Sequence, residues 1–248
     1  MTSQDGKNQD GHDEVMVRLN EARSVLTGNG WLSKQPGAFQ DALIAGSIMQ
    51  HYNAGDVVFR AGDPLGGIYG LVSGAMCVTL APPNLSPRLV HVGTAGSWIG
   101  EGCFLAREPR RVGVHAPVET WMMHVPLRHL DRLARDDPQT FRYIALILMS
   151  NLDTLVLAYC EHHHPDEKLR IAAALLRQPA GEGEPIPMTQ TDLGILARAS
   201  RKMVNAALGE FAEKGWVRKG YREVTITDRT KLSEYVALTE DRTLMRDG

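Results

Sequence analysis

The stretch Thr189-Gln-Thr-Asp-Leu-Gly-Ile-Leu-Ala-Arg-Ala-Ser-Arg-Lys-Met-Val-Asn-Ala-Ala-Leu-Gly-Glu-Phe211 reads as two short helices joined by a tight turn. Thr189 caps the first helix through its hydroxyl, with Asp192 three residues on to complement the open N–H groups, and Leu193, Leu196 and Ala197 form its buried face. Ser200 caps the second helix. There Val204, Ala207, Leu208 and Phe211 recur at helical spacing and point inward, which leaves Arg201, Lys202, Asn205 and Ala206 outside. A helix-turn-helix of this kind offers its outer face to a DNA major groove, where Arg and Lys bond guanine or phosphate and Asn bonds adenine bidentately. A single cap of this type opens many helices; two at this separation, followed by a wing, are more specific.

The wing is Gly215-Trp-Val-Arg-Lys-Gly-Tyr-Arg-Glu-Val-Thr-Ile-Thr, with short strands expected at Trp216-Val217 and Val224–Ile226 around a turn at Gly220 and with Arg218 and Lys219 facing DNA. Between Met188 and Lys231 nine Lys or Arg stand against five Asp or Glu, whereas the whole chain carries −2. Phosphate attraction is screened over roughly 8 Å at physiological salt, so the local excess outweighs the total.

At 248 residues with 43% hydrophobic content the chain has room for two cores. No continuous apolar run of about 18 residues stands out and the first thirty residues are unlike a secretory signal, so a cytoplasmic address without a membrane is expected. Cys77, Cys103 and Cys160 are widely spaced and odd in number, which implies neither a disulfide framework nor a thiolate metal site; they are read as reduced and mostly buried. Residues 1–14 lack apolar periodicity and are expected to be disordered. There is no nucleophile elbow, P-loop or His-Glu-x-x-His, and the chain is not read as an enzyme.

From His51 to Pro126 the sequence breaks into short apolar runs, Val57–Phe59, Ile68–Val72, Ala75–Leu80 and Leu89–Val92, separated by Gly and Pro. This is the pattern of an antiparallel sandwich or barrel. The opening from Gly55 to Val78 resembles a cyclic-nucleotide-binding β-roll, and the order β-roll, long helix, winged helix-turn-helix over about residues 30–235 is similar to the Crp/Fnr family of bacterial transcription regulators. The resemblance implies an α+β fold: a jelly-roll-like β-roll sensor at 15–137, a dimerisation helix at 138–164 and a winged helix-turn-helix at 165–248.

In cyclic-nucleotide members of that superfamily a Gly-Glu and a Pro-Arg cradle the sugar and phosphate. The matching residues are Gly100-Glu101 and Pro109-Arg110, with Arg111 where the family often has a small or hydroxyl residue. A carboxylate can accept from a ribose hydroxyl and a guanidinium can pair with a phosphodiester. The long helix of cAMP-responsive relatives offers hydroxyls to the purine, whereas the region aligned with it carries Leu155 and Val156. Cyclic nucleotide, cAMP or cGMP, is therefore the leading effector, set against a structural Glu101–Arg110 ion pair with the pocket empty or used by another ligand.

After Asp137-Pro138, residues Phe141, Ala145, Leu148, Leu152, Leu155 and Tyr159 recur every four, three, four, three and four residues, a coiled-coil seam that predicts a homodimer. Ile144, Ile147, Met149 and Leu157 widen the face and fit the alternative of packing within the chain. Paired recognition helices would lie about 34 Å apart on a two-fold symmetric operator. His162-His163-His164 cannot all ligate one ion from one helix, so the run is read as a hinge without metal, with Pro165 in the first turn of the next helix. RNA polymerase is a candidate partner. Where the cAMP-responsive relatives carry Arg-Glu and a second Arg on the recognition helix, this chain has Arg201-Lys202 and Ala206, so the resemblance implies a different operator.

Overall fold

The computed structural model describes residues 19–80, 87–178 and 180–244; the expected disordered tail lies outside them. The roll does not begin at once. A helix α1 (19–28), a 3-10 turn at Leu32–Lys34 and α2 (Gly37–Ala45) precede the first strand. Their apolar residues Ala22, Leu26, Leu32, Phe39 and Leu43, with Trp31 between them, are buried against the roll; the sequence reading named no elements before His51.

Among the described residues eight strands follow: β1 (Ile48–Tyr52), β2 (Val57–Phe59), β3 (Ile68–Ser73), β4 (Met76–Leu80), β5 (Arg88–Gly93), β6 (Trp98–Ile99), β7 (Gly113–His115) and β8 (Thr120–Val125). They form two antiparallel four-stranded sheets, ordered β1-β8-β3-β6 and β2-β7-β4-β5. Between the sheets, Phe59, Tyr69, Leu71, Met76, Val78, Ile99, Val114 and Met122 make one core. Alternation of side chains puts a second set, Ile68, Met123 and Val125, on the opposite face toward the helices.

Helix α3 (Glu101–Ala106) sits between β6 and β7, and α4 (Leu127–Asp136) leads to α5 (Gln139–His162). The latter carries two stripes. Ile144, Ile147, Asn151 and Thr154, spaced three, four and three, face the roll, and Ile144 and Ile147 are buried in its core. The seam residues lie on the adjoining flank of the helix and, apart from half-buried Ala145, are exposed: Phe141, Leu148, Leu152 and Leu155 at 45–49% and Tyr159 at 67%. Phe141 nevertheless stacks on Phe104 of α3, ring centroids 5.0 Å apart. By length and composition α5 is apolar enough to cross a membrane, with 17% of its apolar window buried, which corrects the expectation that the chain holds no such segment.

At the hinge Asp166, not Pro165, opens α6 (Glu167–Leu176): its carboxylate accepts from the Lys168 and Leu169 amides, and Pro165 lies just outside the helix. The three histidines act separately. His162 Nε2 donates to the Leu196 carbonyl, His163 Nδ1 to that of Tyr159, and His164 Nδ1 accepts from the Asp166 amide.

The C-terminal part contains β9 (Pro185–Ile186), α7 (Gln190–Ala197), α8 (Arg201–Glu213), β10 (Val217–Gly220), β11 (Glu223–Ile226) and α9 (Arg229–Leu244). Three readings change. Gly220 pairs with Glu223 inside the hairpin, so the turn is Tyr221-Arg222; the end of the loop before α7 adds a third strand, in the order β10-β11-β9; and α9 was not foreseen. The core here is Ile171, Leu175, Leu193, Leu196, Val204, Leu208, Phe211, Val224 and Ile226. Ala75, Cys77 and Val92 from β4, β5 and the turn before them are continuous with it, so the C-terminal part is docked on the outer face of the roll. Burial pushes the Cys77 thiol up to about 12. Cys77 and Cys103 are buried free thiols, and Cys160 is exposed.

Candidate effector cavity and nucleic-acid interface

A cavity of about 310 Å³ opens between the roll and α5. Gly100, Glu101, Arg110 and Arg111 all line it, with Phe59, Val78, Val90 and Ile99 from the strands and Leu148, Asn151, Leu152, Thr154 and Leu155 from α5. Glu101 and Arg110 are both buried, at 7% and 6% exposure. They are not an ion pair.

Glu101 Oε1 accepts from Asn151 Nδ2 at 3.0 Å. Arg110 donates to the Gly67 carbonyl at 2.7 Å and the Gly100 carbonyl at 3.2 Å, and its guanidinium lies 4.1 Å from the Phe59 ring centroid. Carbonyl bonds and ring contact fix the charge without neutralising it. Nearby, burial raises the Tyr69 hydroxyl, a shift the Arg110 guanidinium opposes, while burial and Arg110 together lower His124.

Gly100 is required where it stands. Its φ is +104°, and a Cβ there would lie 2.6 Å from an Arg110 nitrogen. Arg111 is exposed at the cavity mouth and pairs with Glu108 at 2.6 Å.

Sequence reasoning missed Asn151 and Thr154, having looked for a purine-facing hydroxyl at Leu155 and Val156. Leu155 does line the cavity, and the hydroxyl is one residue earlier. The signal was present: two polar residues three apart in an apolar helix, on the stripe that continues Ile144 and Ile147.

In the C-terminal part the two caps form as read. Asp192 N donates to Thr189 Oγ1 at 3.1 Å while Thr189 N donates back to Asp192 Oδ2 at 3.0 Å, and Met203 N donates to Ser200 Oγ at 3.2 Å. Between them Arg198 takes a left-handed conformation with φ of 47°. Buried Arg170 on α6, also missed, holds this turn by donating to the Ala197, Arg198 and His164 carbonyls at 2.8, 2.9 and 2.6 Å.

Arg201, Lys202 and Asn205 are exposed on α8, and Arg218 and Lys219 on β10, the edge strand of its sheet. Other cations among the described residues of the C-terminal part are engaged: Lys168 and Lys214 with Glu210, Lys231 with Glu234, Arg229 with backbone carbonyls. Arg198, Arg201, Lys202, Arg218, Lys219 and Arg222 have no acidic partner among the described residues. That charge is uncompensated, and Arg201, Lys219 and Arg222 share one cleft, an arrangement suited to phosphate.

Comparison with known proteins places both halves. Residues 169–235 match the family model of the Crp-like helix-turn-helix domain, and residues 49–137 that of the cyclic nucleotide-binding domain. The CRP-like cAMP-activated global transcriptional regulator of Mycobacterium tuberculosis is 24% identical over 187 residues, 72% of this chain and 84% of that protein. Among solved structures, FixK2 from Bradyrhizobium japonicum gives a TM-score of 0.65 at 18% identity, covering 76% of this chain and 96% of that one. The c-di-GMP responsive global regulator CLP of Xanthomonas campestris gives 0.57 at 20%, covering 77% and 99%. At these identities the two structural likenesses speak for the fold alone.

Proposed function

The chain belongs to the Crp/Fnr family of transcription regulators, and on that premise we propose that it binds a two-fold symmetric DNA operator as a homodimer under the control of a cyclic nucleotide held in its roll. The partition proposed is a sensor at 15–137, a dimerisation helix at 138–164 and a DNA reader at 165–248, with a cytoplasmic address. RNA polymerase is the partner expected at the promoter.

One observation carries the effector reading. A buried carboxylate and a buried guanidinium line the same cavity without neutralising each other. Glu101 can accept from a ribose hydroxyl, and the N–H groups of Arg110 not held by carbonyls can meet a cyclic phosphodiester. Thr154 supplies a hydroxyl for the base, while Val78, Leu152 and Leu155 offer apolar contact to its faces. A volume of about 310 Å³ falls at the lower end of small-molecule sites, roughly 300–1,000 Å³, and suits one compact ligand.

Calorimetry with cAMP and cGMP on the wild type and on Arg110→Ala tests this reading. Binding to the wild type that is lost in the variant supports it, and no binding to the wild type removes it. A non-nucleotide effector is the second reading, favoured by the mainly apolar wall. The DNA side of the proposal rests on Thr189, Ser200, Arg201, Lys202, Asn205, Arg218 and Lys219, and the dimer on the exposed stripe from Phe141 to Tyr159.

A further inference from the structure

The tip of the wing has properties that a simple phosphate clamp does not need. Tyr221 is 91% exposed, the most exposed large apolar or aromatic side chain among the described residues. Beside it Arg222 sits at φ 58°, a conformation that Gly or Asn adopts more readily than a long side chain. Strain of this sort persists where the side chain is wanted. Arg222 and its neighbour Lys219 have no acidic partner among the described residues.

Between this tip and the two helices runs a cleft of about 280 Å³. Gln190 and Thr191 in the first turn of α7, together with Arg201 at the start of α8, form one wall; Lys219, Tyr221, Arg222 and the carboxylate of Glu223 form the other, two cations against one acid. In B-DNA each phosphate strand is a ridge with the major groove on one side and the minor groove on the other. With α8 in the major groove, the adjacent ridge fits this cleft, where the α7 amides and the cations of both walls meet phosphates. Whatever stands across the ridge from α8 faces the minor groove.

We propose that Tyr221 and Arg222 enter the minor groove next to the recognition-helix contacts and give this regulator a preference for A·T pairs there. A narrow A·T minor groove concentrates negative potential that attracts an inserted Arg, and an aromatic ring can wedge against the base edges. Guanine places its 2-amino group in the same groove and obstructs both. The inference rests on the seating of α8 in the major groove.

The test uses duplexes selected from a randomised library by the wild-type protein, with the pairs beside the α8 contacts then set to A·T, G·C or inosine·C. Inosine·C keeps a major groove like that of G·C but lacks the 2-amino group. The wild type should bind the G·C duplex about tenfold more weakly than the A·T duplex, and inosine·C should restore binding. The double variant Tyr221→Ser, Arg222→Gly, in which glycine suits the turn, should treat all three alike. Its fold is checked by thermal melting.

Equal binding of A·T and G·C by the wild type overturns the proposal, as does inosine·C behaving like G·C. Undiminished discrimination by the double variant also overturns it and leaves the tip as a protein contact. Arg201→Ala is run in parallel: if it leaves the selected sequences unchanged, or if the wild type selects none, the seating of α8 fails first and the wing proposal with it.

Discussion

Asn151 Nδ2 donates to Glu101 Oε1 at 3.0 Å, so the buried carboxylate of the cradle is held by the same helix that carries the exposed apolar seam. A ligand hydroxyl that engages Glu101 must share or displace this bond. Occupancy of the cavity and the position of α5 are thereby linked through one side chain.

Replacing Asn151 with Leu should cost about 1–3 kcal/mol, because Glu101 is left buried without that donor. Asn151→Asp should cost more, since it sets two carboxylates together. Urea denaturation of the three proteins checks the order.

Burial pushes the His91 imidazole down to about 4, and Arg177 acts in the same direction. The unfolded histidine titrates near 6.5, so as pH falls the unfolded chain takes up the proton first. The stability tied to a neutral His91 is therefore complete above about pH 6.5, declines through the window from 6.5 to 4, and changes no further below it. His91→Gln should flatten the stability profile in that window by about 3 kcal/mol relative to wild type, as followed by thermal melting at stepped pH.

A charge in the seam should separate the proposed protomers. Leu152→Glu would place a carboxylate opposite its own copy in an apolar stripe. Sedimentation velocity should show a dimer for the wild type and a monomer for the variant; a monomeric wild type would remove the seam reading.

Arg201→Ala should weaken operator binding by about 1–3 kcal/mol and relax specificity at one base pair. Arg218→Ala should weaken all sequences alike and reduce the salt slope by about 1. Gel shifts across a salt series distinguish the two, and the cAMP-type consensus should be a poor operator for either protein.

Arg170→Met should loosen the helix-turn-helix itself. Three carbonyls, those of His164, Ala197 and Arg198, lose a charged donor that contributes about 1.5–3 kcal/mol per bond in such settings. Hydrogen exchange at Arg198–Ser200 should rise in the variant while the roll remains protected.

Much of this arrangement is legible in local chemistry. The capping box at Thr189, the cap at Ser200, the inward residues of α7 and α8 and the strands β2 to β5 all follow from patterns a few residues long, and the structure contains each of them. The wing turn was misplaced because Gly220 is the habitual turn residue. Here Gly220 pairs with Glu223 in the hairpin, and an arginine takes the left-handed position instead. No helix was assigned before His51 because α1 and α2 owe their burial to packing on the roll rather than to a pattern of their own.

By itself the sequence determined the order of roll, long helix and winged reader, since periodicity and capping act through neighbours in the chain. It also supplied both members of the cradle, Glu101 and Arg110. Tertiary structure alone decided that Glu101 meets Asn151 instead of Arg110, that Arg170 holds the turn of the reader, and that the reader is docked on β4 and β5. The contacts that decide them, Glu101 with Asn151, Arg110 with Gly67 and Arg170 with Ala197, join groups far apart in the chain, and which partner a buried polar group finds is fixed by the packing around it rather than by its neighbours in sequence.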